Sequence, residues 1–159
     1  HSAIAHIHGP ESFRSAHERR SGFIRGLTES GRSLPADMIV EAGYTFDSGL
    51  LAMEKLLYAR RRPTAIFAGN DEMATGAYVA VRKAGLRIPE DISIVGFDDT
   101  PIAARLWPAL TTVRLPIREM GRAAAKLLLD QAAGKEPEDL LSFSPEIVVR
   151  ESTAPPPAN

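Results

Sequence analysis

The chain has 159 residues, of which 44% are hydrophobic and 25% charged, with a formal net charge of −1 and no cysteine. That length supports one sizeable core and that composition is ordinary for a globular protein, so low-complexity and collagen-like classes are excluded. The near-neutral balance does not suggest a nucleic-acid or membrane surface made by the chain as a whole, and the lack of cysteine excludes disulfides and thiolate zinc sites. No apolar run approaches the ~20 residues of a membrane span, and no signal peptide opens the chain. A start at His1-Ser2-Ala3 instead of Met leads us to expect a piece of a longer protein.

In chain order, residues 4–8 (IAHIH) alternate as a strand does and end at the turn signal Gly9-Pro10. The spacing predicts a helix over about 12–30, with Phe13, Ala16, Phe23 and Leu27 as its apolar stripe and Gly31 at its end. A short strand over 38–42 stops at Gly43-Tyr44. Thr45 or Asp47 caps a second helix, with Leu50, Met53 and Leu57 facing inward and Arg60-Arg61-Arg62-Pro63 closing it. Residues 64–99 then form a complete strand–helix–strand unit. One apolar run over 65–68 ends at Gly69-Asn70-Asp71. Asn70 caps a helix carrying Met73, Ala77, Val81 and Ala84 on one face, and Gly85 closes it; a second apolar run over 92–97 ends at Asp98-Asp99. Residues 100–108 read as a loop, 111–115 as another strand, and 117–133 as a strongly patterned helix with Ile117, Met120, Ala124, Leu127 and Leu128 on one face. Residues 146–150 give a last short strand, and the tail STAPPPAN is expected to be too polar and Pro-rich to pack. This alternation implies an α/β fold, an open and mainly parallel sheet with helices on both faces.

Open parallel sheets bind ligands outside the carboxyl ends of their strands. Four such ends can be identified here: His8-Gly9-Pro10, Gly43-Tyr44, Asn70-Asp71 and Asp98-Asp99. Together they offer an aromatic face, an amide and carboxylates, the groups that hold a polyhydroxylated small molecule. Arg19 lies four residues before Phe23, on the flank of the first helix's buried stripe, where a guanidinium suits a fixed fork of hydrogen bonds. Taken singly, each residue also has an ordinary role: Asn70 as an N-cap, Asp98 and Asp99 as a turn, Tyr44 as a core edge, Arg19 as a partner of some acid. Their shared position at strand ends favours a binding site. His6 and His8 share one side of a strand, but no third ligand follows at metal spacing, so no metal is expected. Neither a G-x-S-x-G elbow, H-E-x-x-H, a P-loop, nor G-x-G-x-x-G after the first strand is present. The chain reads as a binder, not an enzyme, and no cofactor is implied.

The run PTAIFAGNDEMATGAYVAVRKAGLRIPEDISIVGFDDTPIA, then PALTTVRLPIREMGRAAAKLLL and the closing EIVVREST, resembles the effector-binding region of LacI/GalR-family transcriptional regulators. The resemblance extends from IAHIHGP to VVREST. It implies a periplasmic-binding-protein-like fold of which this chain is mostly the C-terminal subdomain: residues 1–115 in that subdomain, 116–145 crossing to the N-terminal subdomain, 146–151 as a return strand and 152–159 as a flexible tail. It further implies a cytoplasmic homodimer that responds to a small effector, a carbohydrate by expectation, and touches operator DNA only through a helix-turn-helix absent from this chain. Carried over by position, the effector contacts are Arg19, Tyr44, Asn70 and Asp98, with Phe13 and Ser15 at more variable positions. Where sugar-binding relatives often place a polar residue, this chain has Leu115. Dimer contacts fall on the helix over 71–84, at Met73 and Ala77, and on the loop carrying Leu106 and Trp107. A periplasmic sugar-binding protein of a transport system shares the fold and is the alternative. The apolar face of the helix over 117–133 is expected to be covered by another chain or repositioned by swapping.

Overall fold

In the computed structural model, which describes residues 1–135 and 141–157, the strand–helix alternation closes into one sheet. Strands β1 (Ile4–His8), β2 (Ile39–Glu41), β3 (Ala65–Ala68), β4 (Ser93–Phe97), β5 (Thr111–Arg114) and β6 (Glu146–Val148) lie in the order β2-β1-β3-β4-β5-β6. The pairs from β2 through β5 are parallel, and β6 runs antiparallel on the β5 edge. The chain leaves β1 toward β2 on one side and returns to β3 on the other, so the strand order reverses at β1–β3, where ligands of such sheets bind.

Alternation along β1 sends its side chains to two covered faces. Ala5 and Ile7 point into a core with α2 (Phe46–Leu57) and α3 (Asp71–Lys83), where Met53, Leu56, Met73, Ala77 and Val81 are essentially inaccessible. His6 points the other way, to α1 (Arg14–Glu29), where its ring stacks on Phe67 at 4.8 Å and lies 5.0 Å from Phe23. Helices therefore cover both faces, as expected. At the α2–α3 crossing, Gly49 and Gly76 let the backbones touch: a Cβ on Gly76 would overlap the backbone of Phe46 and Leu50. Both helix starts are capped, α2 by a Thr45–Ser48 capping box and α3 by the Asn70 side chain accepting from the Met73 N–H at 2.9 Å. Gly85, at φ 73°, takes the left-handed turn after α3.

Several expectations change. Phe13 does not continue the α1 stripe; it sits at the N-cap, 53% exposed. Residues 36–38 form a 3-10 turn before β2, because Pro35 starts a tight turn there. Met73 and Ala77 are fully buried in the chain's own core, so they are not available to a second chain and are withdrawn as dimer contacts. The segment after Glu151 packs for its first three residues. Ser152 is fully buried, its hydroxyl donating to the Ile94 carbonyl (2.6 Å) and accepting from the Thr111 N–H (2.8 Å), and the Ala154 N–H donates to Ser93 Oγ (3.0 Å). Composition alone could not anticipate that a polar residue would bridge the amino ends of β4 and β5. The expected crossover over 116–145 includes residues 136–140, and the tail includes 158–159, which lie outside the described residues. Helix α4 (Ile117–Ala132) buries none of its residues, with Ile117 61%, Leu128 68% and Leu129 72% exposed.

Candidate functional site

Four of the sequence-predicted residues converge at the carboxyl ends of β1–β4. Arg19, in the second turn of α1, donates from one guanidinium nitrogen to the Gly69 carbonyl just past β3 and from the other to Asp98 Oδ1 just past β4, at 3.1 Å. Its guanidinium lies 3.8 Å from the centroid of the Phe97 ring and 5.9 Å from that of Tyr44. The Arg19 side chain is 17% exposed and that of Asp98 37%, so the pair sits at a half-dry surface. A planar, always-charged fork between two strand ends and two rings is held in one orientation without losing all its donors.

The backbone bends sharply where these side chains leave the strands. Tyr44, Asp98 and Asp99 are non-glycine residues with positive φ, at 61°, 108° and 51°. Such conformations cost free energy and cluster at ligand sites. At Asp98 the N–H still donates to the Val113 carbonyl (2.8 Å), so β5 holds the strained turn in place. Burial raises the Asp98 carboxyl above its ordinary range, and the nearby Asp71 carboxylate adds to this while Arg19 opposes it.

Tyr44 lays its ring against Gly9, where a Cβ would collide with the ring, and its buried hydroxyl has no hydrogen-bond partner among the described residues. Phe13 meets Tyr44 edge-on at 5.9 Å. Asn70 joins the cluster in a supporting role. Its Oδ1 caps α3 and its Nδ2 donates to the Tyr44 carbonyl at 3.1 Å, so the amide holds the turn bearing the aromatic. Ser15 is exposed and lies one helical turn before Arg19 on α1.

Three further residues support the site in roles that sequence reasoning did not assign. Phe97, the last residue of β4, supplies the platform under Arg19. Asp71, fully buried in the first turn of α3, accepts from the Thr100 N–H (2.7 Å), the Thr100 hydroxyl (3.0 Å) and the Thr112 hydroxyl (2.6 Å), which anchors the loop carrying Asp98. Asp99 turns away from Asp98 and accepts from Arg114 and Arg150, both at 2.6 Å. Burial alone would raise its carboxyl, but the two guanidinium bonds hold it below the ordinary range. The only hint in the sequence was adjacency: Asn70-Asp71 and Asp98-Asp99 each divide into one residue at the site and one buried anchor.

The cluster forms an open wall. A cavity of about 320 Å³ between the C-terminal ends of α2 and α3, lined by Glu54, Tyr58, Arg62 and Lys83 among others, lies at the far end of those helices from this wall and shares none of its residues. Leu106 packs against the core, while Trp107 is 77% exposed on a loop tied to α3 by Arg82 donating to the Trp107 carbonyl and Tyr78 Oη donating to the Pro108 carbonyl (3.1 Å). Among the described residues no helix is long and apolar enough to cross a membrane.

The family model of the periplasmic binding protein-like domain matches residues 1–153. The HTH-type transcriptional repressor PurR of Erwinia tasmaniensis is 38% identical over 158 residues, which make up 99% of this chain and 46% of that protein. The structure of a sugar-binding transcriptional regulator of the LacI family from Escherichia coli, complexed with phosphate, has a TM-score of 0.92 at 32% identity, covering 98% of this chain and 56% of that one. A complex of the transcriptional regulator CelR with cellobiose has a TM-score of 0.91 at 35% identity, covering 96% of this chain and 47% of that one. The chain spans about half the length of the curated relatives it matches.

Proposed function

Since the chain belongs to the periplasmic-binding-protein-like domain family, as the effector-binding part of a LacI-family transcriptional regulator, we propose that its strand-end cluster is one wall of the effector cleft. The homologues are transcriptional repressors, and in our reading this chain performs no catalysis.

The observation that carries the reading is the Arg19–Asp98 pair laid across Phe97 and beside Tyr44. A ligand hydroxyl can accept from the guanidinium and donate to the carboxylate, and a sugar's C–H face can rest on Tyr44 and Phe13. A carbohydrate is therefore the effector class we favour. One observation supports a second class: the edge-on Phe13–Tyr44 pair would also grip a flat nitrogen heterocycle, with Asp98 accepting a ring N–H.

The regulatory consequence follows from differential binding. An effector that touches both this wall and a facing lobe stabilises one lobe arrangement, and DNA affinity changes by that difference. The facing lobe would also cover α4, and operator contact would come through a helix-turn-helix outside this chain. Dimerisation would use Trp107, Leu106 and the outer side of α3, in a cytoplasmic protein.

A thermal-shift panel of monosaccharides, cellobiose and nucleobases tests the assignment. At least one member is expected to raise Tm in proportion to the logarithm of its concentration, and Asp98→Ala is expected to abolish the rise. An unchanged shift in Asp98→Ala would remove this wall from the effector site.

A further inference from the structure

We propose that His8, Glu11 and Glu41 form a binding site for a divalent transition-metal cation at the carboxyl ends of β1 and β2. One ring nitrogen of His8 and one carboxylate oxygen each of Glu11 and Glu41 all lie within 4.8 Å of one another. In the β1–β2 ladder His8 and Glu41 are direct partners, so their side chains leave the sheet on the same face from adjacent strands. Glu11 comes from the loop that follows β1, and its own N–H donates to Glu41 Oε1 at 3.4 Å. Sequence spacing hides the set, because strand pairing brings Glu41 to His8.

The imidazole is prepared for ligation. His8 is 5% exposed, its Nδ1 bonds the Gly9 carbonyl at 2.7 Å, and its Nε2 makes no hydrogen bond among the described residues. A backbone carbonyl on one ring nitrogen fixes the tautomer that leaves a lone pair on the other, as is usual for metal-ligating histidines. The two carboxylates balance a dication's charge, and with metal–ligand bonds of about 2.0–2.2 Å the exposed Glu side chains need only a small rotation to close around it. An imidazole with two carboxylates suits zinc, cobalt or manganese better than calcium or magnesium, which take oxygen sets. Arg20 competes, since it donates to Glu11 Oε1 at 3.0 Å. A bound cation would clamp the loop over 9–11 to β2, beside the Gly9 against which Tyr44 rests.

Cobalt(II) titration followed by visible absorption tests this, with zinc(II) as the displacing ion. We expect one cobalt per chain, displaced by zinc, with affinity lowered roughly tenfold or more in Glu41→Gln and Glu11→Gln. His17→Gln is expected to leave affinity unchanged, and Arg20→Gln to tighten it by freeing Glu11. His8→Gln should abolish binding; because His8 is buried, the two surface Glu variants decide the matter if that protein does not fold. Failure to bind cobalt or zinc at millimolar concentration overturns the proposal, as does unchanged affinity in both Glu variants or a loss confined to His17→Gln.

Discussion

Helices α3 and α4 carry the same kind of amphipathic pattern and meet opposite fates. Eight residues of α3 are buried, against α2 and the sheet, whereas α4 has no buried residue although Ile117, Met120 and Leu128 line one side. The periodic stripe tells that a face is to be covered, not what covers it. The strand–helix–strand unit from β3 to β4 contains its own partner surface. Among the described residues the segment from β5 to β6 does not, and β6 leaves Ile147 68% exposed. One part of the chain is a finished layer and the other is half of one.

This contrast is most easily broken by truncation in the finished layer. Leu56, 1% exposed, packs in the α2–α3 core, and Leu56→Ala should lower unfolding free energy by about 3 kcal/mol in urea titrations. A loss under about 1 kcal/mol would mean that the layer is looser than its burial implies.

The α1 side of the sheet gives the next effect. Burial of His6, chiefly desolvation, lowers its pKa from 6.5 to about 4, while its bond to the Phe67 carbonyl opposes the change. A folded-state pKa below the unfolded one means the unfolded chain binds the extra proton first. Stability is therefore full above pH 6.5 and falls as pH drops toward about 4. The loss amounts to about 3 kcal/mol, since each tenfold change in proton affinity is worth ~1.4 kcal/mol. Urea midpoints measured across this range should fall, and His6→Leu should flatten the curve.

The smallest effect belongs to the unfinished half. Leu128→Ala should change the stability of this chain by no more than about 0.5 kcal/mol, because the side chain is 68% exposed. A cost near that of Leu56→Ala would mean α4 is packed within the chain.

Much of this was legible in the sequence for physical reasons that differ by element. Periodicity with Gly and Asn punctuation placed α2, α3 and their strands, because local caps and a closed core agree there. Tyr44 and Asp98 were found because each sits where a strand must stop, and topology brings those ends together, whereas Arg19 was found from its place on the flank of the buried stripe of α1. Asn70's two hydrogen bonds favour the capping reading that residue chemistry had left open. Met73 and Ala77 were misassigned because an apolar helical stripe looks the same whether it faces its own core or a partner. Asp71 and Ser152 were missed since only tertiary contacts distinguish a buried polar anchor from a surface one, and the Glu41–His8 pairing required strand register.

Titration calorimetry with the panel member giving the largest thermal shift tests the central claim, that Arg19 and Asp98 grip the effector. Asp98→Ala and Arg19→Met should each weaken binding by roughly tenfold or more, equivalent to at least ~1.4 kcal/mol, while Leu128→Ala leaves it unchanged. Equal affinity in wild type and Asp98→Ala would contradict the account.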